Sequence, residues 1–151
     1  LLRDVSTLVV EGEPPAVAPL LDIEPTDLPG LLRAGVAAYA DVLRADPGRE
    51  QGMLELTHLA LREPALTGVA QEQYAQYRAL VTEMLVIAAS RTGMRWRMPA
   101  ETLARFVVTC MDGLTIGWLV DRDDAALEPQ LDMITRALLE HAEPARTSTR
   151  F

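Results

Sequence analysis

Apolar residues recur along most of this chain at intervals of three and four, the spacing that collects them on one face of an α-helix. Leu28, Leu32, Val36, Tyr39 and Leu43 form one such line and predict a helix over 27–45, capped by Thr26 or Asp27 with Pro29 in its first turn. Ala45-Asp46-Pro47-Gly48 breaks it. A shorter helix over about 48–62 carries Met53, Leu54, Leu56, Ala60 and Leu61, and the Glu63-Pro64 step ends it. Over 65–90 one line holds Leu66, Val69, Gln73, Tyr77, Leu80, Met84 and Ile87, widened by Ala70, Tyr74, Val81, Leu85 and Ala88, with Gly93 as its C-terminal stop.

The most apolar stretch runs from Pro99 to His141 and predicts a helical hairpin. Its first helix, over 99–120, has two rows: Leu103, Val107, Cys110, Leu114 and Trp118, and beside it Phe106, Cys110, Gly113, Gly117 and Val120. Asp112 is the only charge between Phe106 and Val120, so the helix is too apolar all round to have a single dry face. The second helix carries Leu127, Leu131, Ile134 and Leu138, with Asp123 and Asp124 at its start, where carboxylates cap free amides and suit the helix dipole. The turn from Val120 to Asp124 is short enough to make the two helices antiparallel.

Two apolar rows need two partners. One row can face the chain's own domain; the other invites a second copy, with Gly113 and Gly117 allowing backbones to approach. The expectation is a homodimer through a two-fold four-helix bundle, with Gly113, Leu114, Gly117, Trp118, Leu131, Ile134 and Leu138 at the interface. A monomer whose long helix is simply central is the alternative. The fold class expected is all-α, since no strand pattern and no fixed-period repeat is present.

The remaining segments set the domain boundaries. Residues 1–10 have apolar positions at 1, 2, 5, 8 and 9, the expected end of a linking helix, and 11–25 hold four prolines among acids and read as a connector. Residues 26–141 are then the body, and 142–151 a flexible tail. The chain opens at Leu1 in mid-pattern, so a preceding segment is expected.

Composition narrows the partners. Against 22 acids stand 14 basic residues, every one Arg, for a net charge of −8, so the chain by itself lacks the positive footprint that nucleic-acid phosphates require. A lone Cys110 in the most apolar helix points to a reducing compartment, and no uninterrupted apolar run approaches a membrane span or a signal peptide, so a cytoplasmic location is expected.

The order of helices, with LLRAGVAAYADVLRADPGR over 31–49, LREPAL over 61–66, YRAL over 77–80 and MDGLTIGWLVDRDD over 111–124, resembles the C-terminal domain of TetR/AcrR-type transcription regulators. The resemblance implies a dimer through the last two helices, an effector pocket enclosed by the preceding ones, and DNA contact only through an N-terminal helix-turn-helix that these residues do not contain. A ligand-responsive regulator, most naturally a repressor, is the function so implied. The reading that stays beside it is a helical small-molecule-binding or interaction module with no DNA role.

Candidate chemistry is sparse. Glu55-x-x-His58 has a metal-ligand spacing but would need a second copy, and no nucleophile, base and orienting acid come together, so no metal, cofactor or catalysis is expected. Arg91, Arg95, Trp96 and Arg97 read as arginines over an aromatic cover rather than a nucleic-acid patch. Asp112 either meets a cationic ligand or is paired with a donor of its own fold. Met53, Thr57, His58, Tyr74, Tyr77, Arg78, Phe106, Thr109 and Cys110 fall on or beside the facing sides of the helices, more polar groups than a filled core tolerates. They are the expected lining of a pocket for a hydrophobic small-molecule effector, held by one or two hydrogen bonds from Thr57, His58 or Tyr77. With no Lys and no glycine-rich loop, bound phosphate is not expected.

Overall fold

The structure, a computed structural model, describes residues 27–145; the expected linking helix, the connector, Thr26 and residues 146–151 lie outside them. Five helices follow in order: α1 Leu28–Ala45, α2 Pro47–Arg62, α3 Thr67–Arg91, α4 Ala100–Asp121 and α5 Asp124–Leu139. Each boundary has a local chemical cause. The Asp27 carboxylate accepts from the Gly30 amide at 2.8 Å to start α1. Asp46 ends α1 and starts α2, accepting from the Arg49 amide at 3.0 Å. Asp123 does the same for α5 through the Ala126 amide at 3.0 Å. A single 3₁₀ turn, Pro64–Leu66, separates α2 from α3. Gly93 stops α3 at φ 67°, a conformation glycine adopts without steric cost.

One core joins α1, α3, α4 and α5. Leu28, Leu32, Val36 and Leu43 of α1 meet Leu103, Val107, Leu114 and Trp118 of α4 and Leu127, Leu131, Ile134 and Leu138 of α5. Leu43, Leu131 and Leu138 are fully buried, each contributing about 1.5–3 kcal/mol of apolar transfer free energy. By length and composition α4 could cross a bilayer, but its apolar residues divide between an inward row in this core and an outward row.

Outside the core, α1 is tied to α5 by two arginines. Arg33 reaches Glu128 and Asp132, both at 2.7 Å, while Arg44 reaches Asp124 at 2.8 Å and Glu128 at 2.6 Å. Asp124 also accepts from the Trp118 indole at 3.0 Å, so one carboxylate joins the ends of α1 and α4 to the start of α5. The α4–α5 turn is closed by Arg122 in the left-handed region at φ 57°, with its guanidinium carbon 4.6 Å from the centre of the Trp118 ring.

The fold is all-α, as expected, with one small pairing that the sequence pattern does not signal: β1 Met94–Trp96 pairs antiparallel with β2 Ala142–Pro144. Three-residue strands carry no readable alternation, and they form because sequence-distant amides and carbonyls meet. Arg97 donates to the His141 carbonyl at 2.8 Å and Ala145 to that of Gly93 at 2.9 Å. Glu143 pairs with Arg95, and with Arg97 at 3.2 Å, while the Trp96 indole donates to the Leu85 carbonyl at 2.9 Å. The arginines around Trp96 thus close the far end of the bundle.

The Arg44 guanidinium holds the Asp124 and Glu128 carboxyls below the usual carboxylate range. A depressed folded-state pKa stabilises the fold above the unfolded value, and that stabilisation is lost as pH falls through the folded one. Acidification below about pH 4 should therefore lower the melting temperature, and Glu128→Gln should melt lower than the parent at neutral pH, with the gap narrowing as the pH falls through the carboxylate range. Thermal unfolding followed by circular dichroism checks this; equal melting of the two proteins at neutral pH would show that the pairing contributes nothing.

Candidate functional site

The middle of α3 does not pack as its apolar row suggests. Tyr77, Leu80, Val81, Met84 and Ile87 are only half-buried. They line a cavity of about 480 Å³ between α1, α2, α3 and α4, within the range of small-molecule sites. Leu32 and Val36 of α1, Met53 and Leu54 of α2, and Val107, Val108 and Met111 of α4 complete mainly apolar walls.

Polar groups in these walls are joined across helices. Tyr74 donates its hydroxyl to Asp112 Oδ2 at 2.9 Å, linking α3 to α4. The hydroxyls of Tyr39 and Thr115 are hydrogen-bonded, linking α1 to α4. The Gln73 amide donates to the Tyr77 hydroxyl at 3.0 Å, and the Tyr74 and Tyr77 rings meet edge to face at 6.0 Å and 68°. Burial pushes the Tyr39 phenol above its ordinary range; burial and then the Asp112 hydrogen bond push Tyr74 up to about 12. Desolvation also raises Asp112, more than the Tyr74 hydrogen bond lowers it. Arg49, 3.9 Å from Glu50, lies at the α2 side and Arg91 at the C-terminal end of α3.

Of the expected pocket residues, Met53, Thr57, Tyr74 and Tyr77 line the cavity. Thr57 turns its hydroxyl onto the Met53 carbonyl of its own helix at 3.0 Å. The other five do not line it. His58 is exposed on the outer side of α2, as is Glu55, which accepts from Gln51 at 3.1 Å. Arg78 lies in a separate polar groove with Glu83, Glu101 and Arg105. Phe106 and Thr109 sit on the outward row of α4. Cys110 is half-buried against the core, where desolvation raises its thiol. The reason is one of phase: α4 turns its 107, 108, 111, 112 and 115 positions to the cavity, so its neighbours at 106, 109 and 110 face elsewhere. Tyr39, Gln73, Asp112 and Thr115 were not among the expected lining. The signals for them were the place of Tyr39 in the α1 row and a lone acid with a threonine three residues on, sharing one helix face.

The expected interface residues divide in the same way. Leu114, Trp118, Leu131, Ile134 and Leu138 are buried within the chain's own core. The α5 leucines are needed to close that core against α1 and α4. Gly113 and Gly117 are exposed, and a Cβ on either would meet nothing within 4 Å. Around them stand Phe106 (42% exposed), Ile116 (46%) and Val120 (82%) of α4, with Met133 (64%) on α5.

A family model described as the C-terminal domain of BetI-type transcriptional repressors matches residues 30–143, spanning α1 to β2 almost completely. No curated protein and no solved structure matches the chain.

Asp112 carries its charge in the cavity wall at a cost, because the folded state raises its pKa. A raised value means that the carboxyl favours folding below its unfolded pKa and that this contribution is lost as pH rises through the folded one. Asp112→Asn keeps an acceptor for Tyr74 and removes the charge, so the ligand-free variant should melt above the parent at neutral pH and level with it near about pH 3. Equal or lower melting at neutral pH would place the net effect of the carboxylate on the stabilising side.

Proposed function

The chain belongs to the BetI-type C-terminal domains of the TetR-family transcriptional regulators, and from this we propose that it is the effector-binding and dimerising body of a ligand-responsive repressor. The observation that carries the reading is the cavity: about 480 Å³ between four helices, apolar in its walls, with hydroxyls and one carboxylate oriented by cross-helix hydrogen bonds. A side-chain set of this kind suits a mainly hydrophobic molecule of drug or metabolite size. The family is one of regulators rather than an enzyme class.

The outward row of α4 supports the dimer. Phe106, Ile116, Val120 and Met133 around an open Gly113–Gly117 strip form an apolar face of the sort that subunit contacts cover. DNA contact belongs, on this reading, to a helix-turn-helix segment N-terminal to the body, and the location is the cytoplasm. Because α1 both lines the cavity and stands first among the described helices, a ligand that fits one placement of α1 better than another would bias what precedes it.

Two measurements test the reading. A thermal-shift screen of lipophilic compounds on the 151-residue chain should yield a stabilising ligand. Leu80→Trp, which fills the cavity from α3, should weaken that ligand by at least about tenfold while the helical signal is kept. A hit that stabilises both proteins equally would place its site elsewhere. For the dimer, sedimentation equilibrium should show a homodimer at micromolar concentration. Gly117→Trp, at an exposed position where a Cβ meets nothing within 4 Å in the single chain, should weaken it by at least about tenfold. A monomeric parent, or a variant that dimerises unchanged, would remove this face from the interface.

A further inference from the structure

The four helices around the cavity are not held alike. α1, α3 and α4 each place residues in the hydrophobic core, whereas no residue of α2 belongs to it. Only Met53 and Ala60 of α2 are buried, against six residues of α1 and eight of α4. Apolar burial is the main term that keeps a helix docked, so α2 loses least by leaving. Its composition adds to this, because Gly52 lies within it and a helical glycine is less stable than alanine. The side-chain hydrogen bonds of Gln51 and Thr57 stay inside α2, to Glu55 and to the Met53 carbonyl. Its two ends are breaks in the helical backbone. Asp46 (ψ 75°) and Glu63 (ψ 105°) leave the helical region, and Pro47 and Pro64 after them have no amide to continue a ladder.

The α4 side of the cavity lies deep. Val108 and Met111 are 8% exposed and Thr115 2%, so a molecule larger than water reaches them only when a wall moves. α1, α3 and α4 share one core and cannot part without opening it, which leaves α2. We propose that α2 is a lid: it opens as a unit between Asp46-Pro47 and Glu63-Pro64 while α1, α3, α4 and α5 stay folded, and this opening is the way into the cavity. Met53, Leu54 and Thr57 on its inner side shut the space when the helix docks. A gate held as firmly as the core would open no more often than the whole chain unfolds, so gating elements belong to the least stable part of a fold. The lid is a property of the ligand-free chain and goes beyond what the cavity binds.

Native-state hydrogen exchange on the 151-residue chain tests the opening. Amides over 53–61 should be at least about tenfold less protected than the buried amides of α4, with little dependence on added denaturant. Gly52→Ala, at a position where a Cβ meets nothing within 4 Å, should raise α2 protection by about two- to fivefold and leave α4 unchanged. The route is tested with Val108→Cys in a Cys110→Ala background, labelled by an aromatic disulfide reagent, with Met111→Cys as a second position on the same wall. Labelling should run faster than global unfolding allows, and Gly52→Ala should slow it by the same factor that it slows α2 exchange. Exchange of α2 only at the global rate would overturn the lid, and that measurement needs no substitution. Labelling that ignores Gly52→Ala, or that proceeds only at the global rate, would overturn α2 as the way in. A chain that shows both effects yet binds no lipophile keeps the lid and loses the effector reading, so the two fail separately.

Discussion

A single chain can bury only one of the two apolar rows on α4. The inward row, Leu103, Val107, Leu114 and Trp118, meets α1 and α5 and makes the core continuous. The outward row, Phe106, Ile116 and Val120 with two bare glycines, stays in solvent. No rotation of α4 could bury both, because α3 and α5 already occupy its inner side and the helix is apolar around most of its circumference. The other helices are placed around this choice: α5 closes the core from one side, and α1 lies against both.

The same packing leaves space on the side of α4 toward α3. Tyr74 and Tyr77, Leu80, Val81 and Met84 face α4 and α1 without filling the gap, and the polar groups that would be costly in a dry core are satisfied against one another. Tyr39 with Thr115 and Tyr74 with Asp112 hold walls of different helices at fixed separations. Such pairs keep a cavity open, because collapse would break bonds already made in an apolar setting. Asp112 is the exception in this wall, since desolvation by the fold disfavours its charge more than the Tyr74 hydrogen bond supports it. The ends of the bundle compensate by different means. At one end Arg33 and Arg44 hold acids of α5, and at the other the small sheet and Glu143 fasten the end of α5 to the α3–α4 connection.

The sequence by itself determined the helices and their order. Caps at Asp27, Asp46 and Asp123 and a stop at Gly93 act within a few residues, so they are visible locally, and the rows of α1, α4 and α5 follow from helical spacing. Membership of the family, which the resemblance pointed to, depends on that order and texture and was legible for the same reason. The tertiary structure alone decided which row of α4 turns inward, and so moved Phe106 and Thr109 out of the cavity and Leu114, Trp118, Leu131, Ile134 and Leu138 into the core. Periodicity identifies a face but not what lies opposite it. The pairings of Tyr39 with Thr115, Tyr74 with Asp112 and β1 with β2 are likewise contacts between distant residues. Their hydrogen bonds exist only once the helices have packed, and no local pattern encodes them.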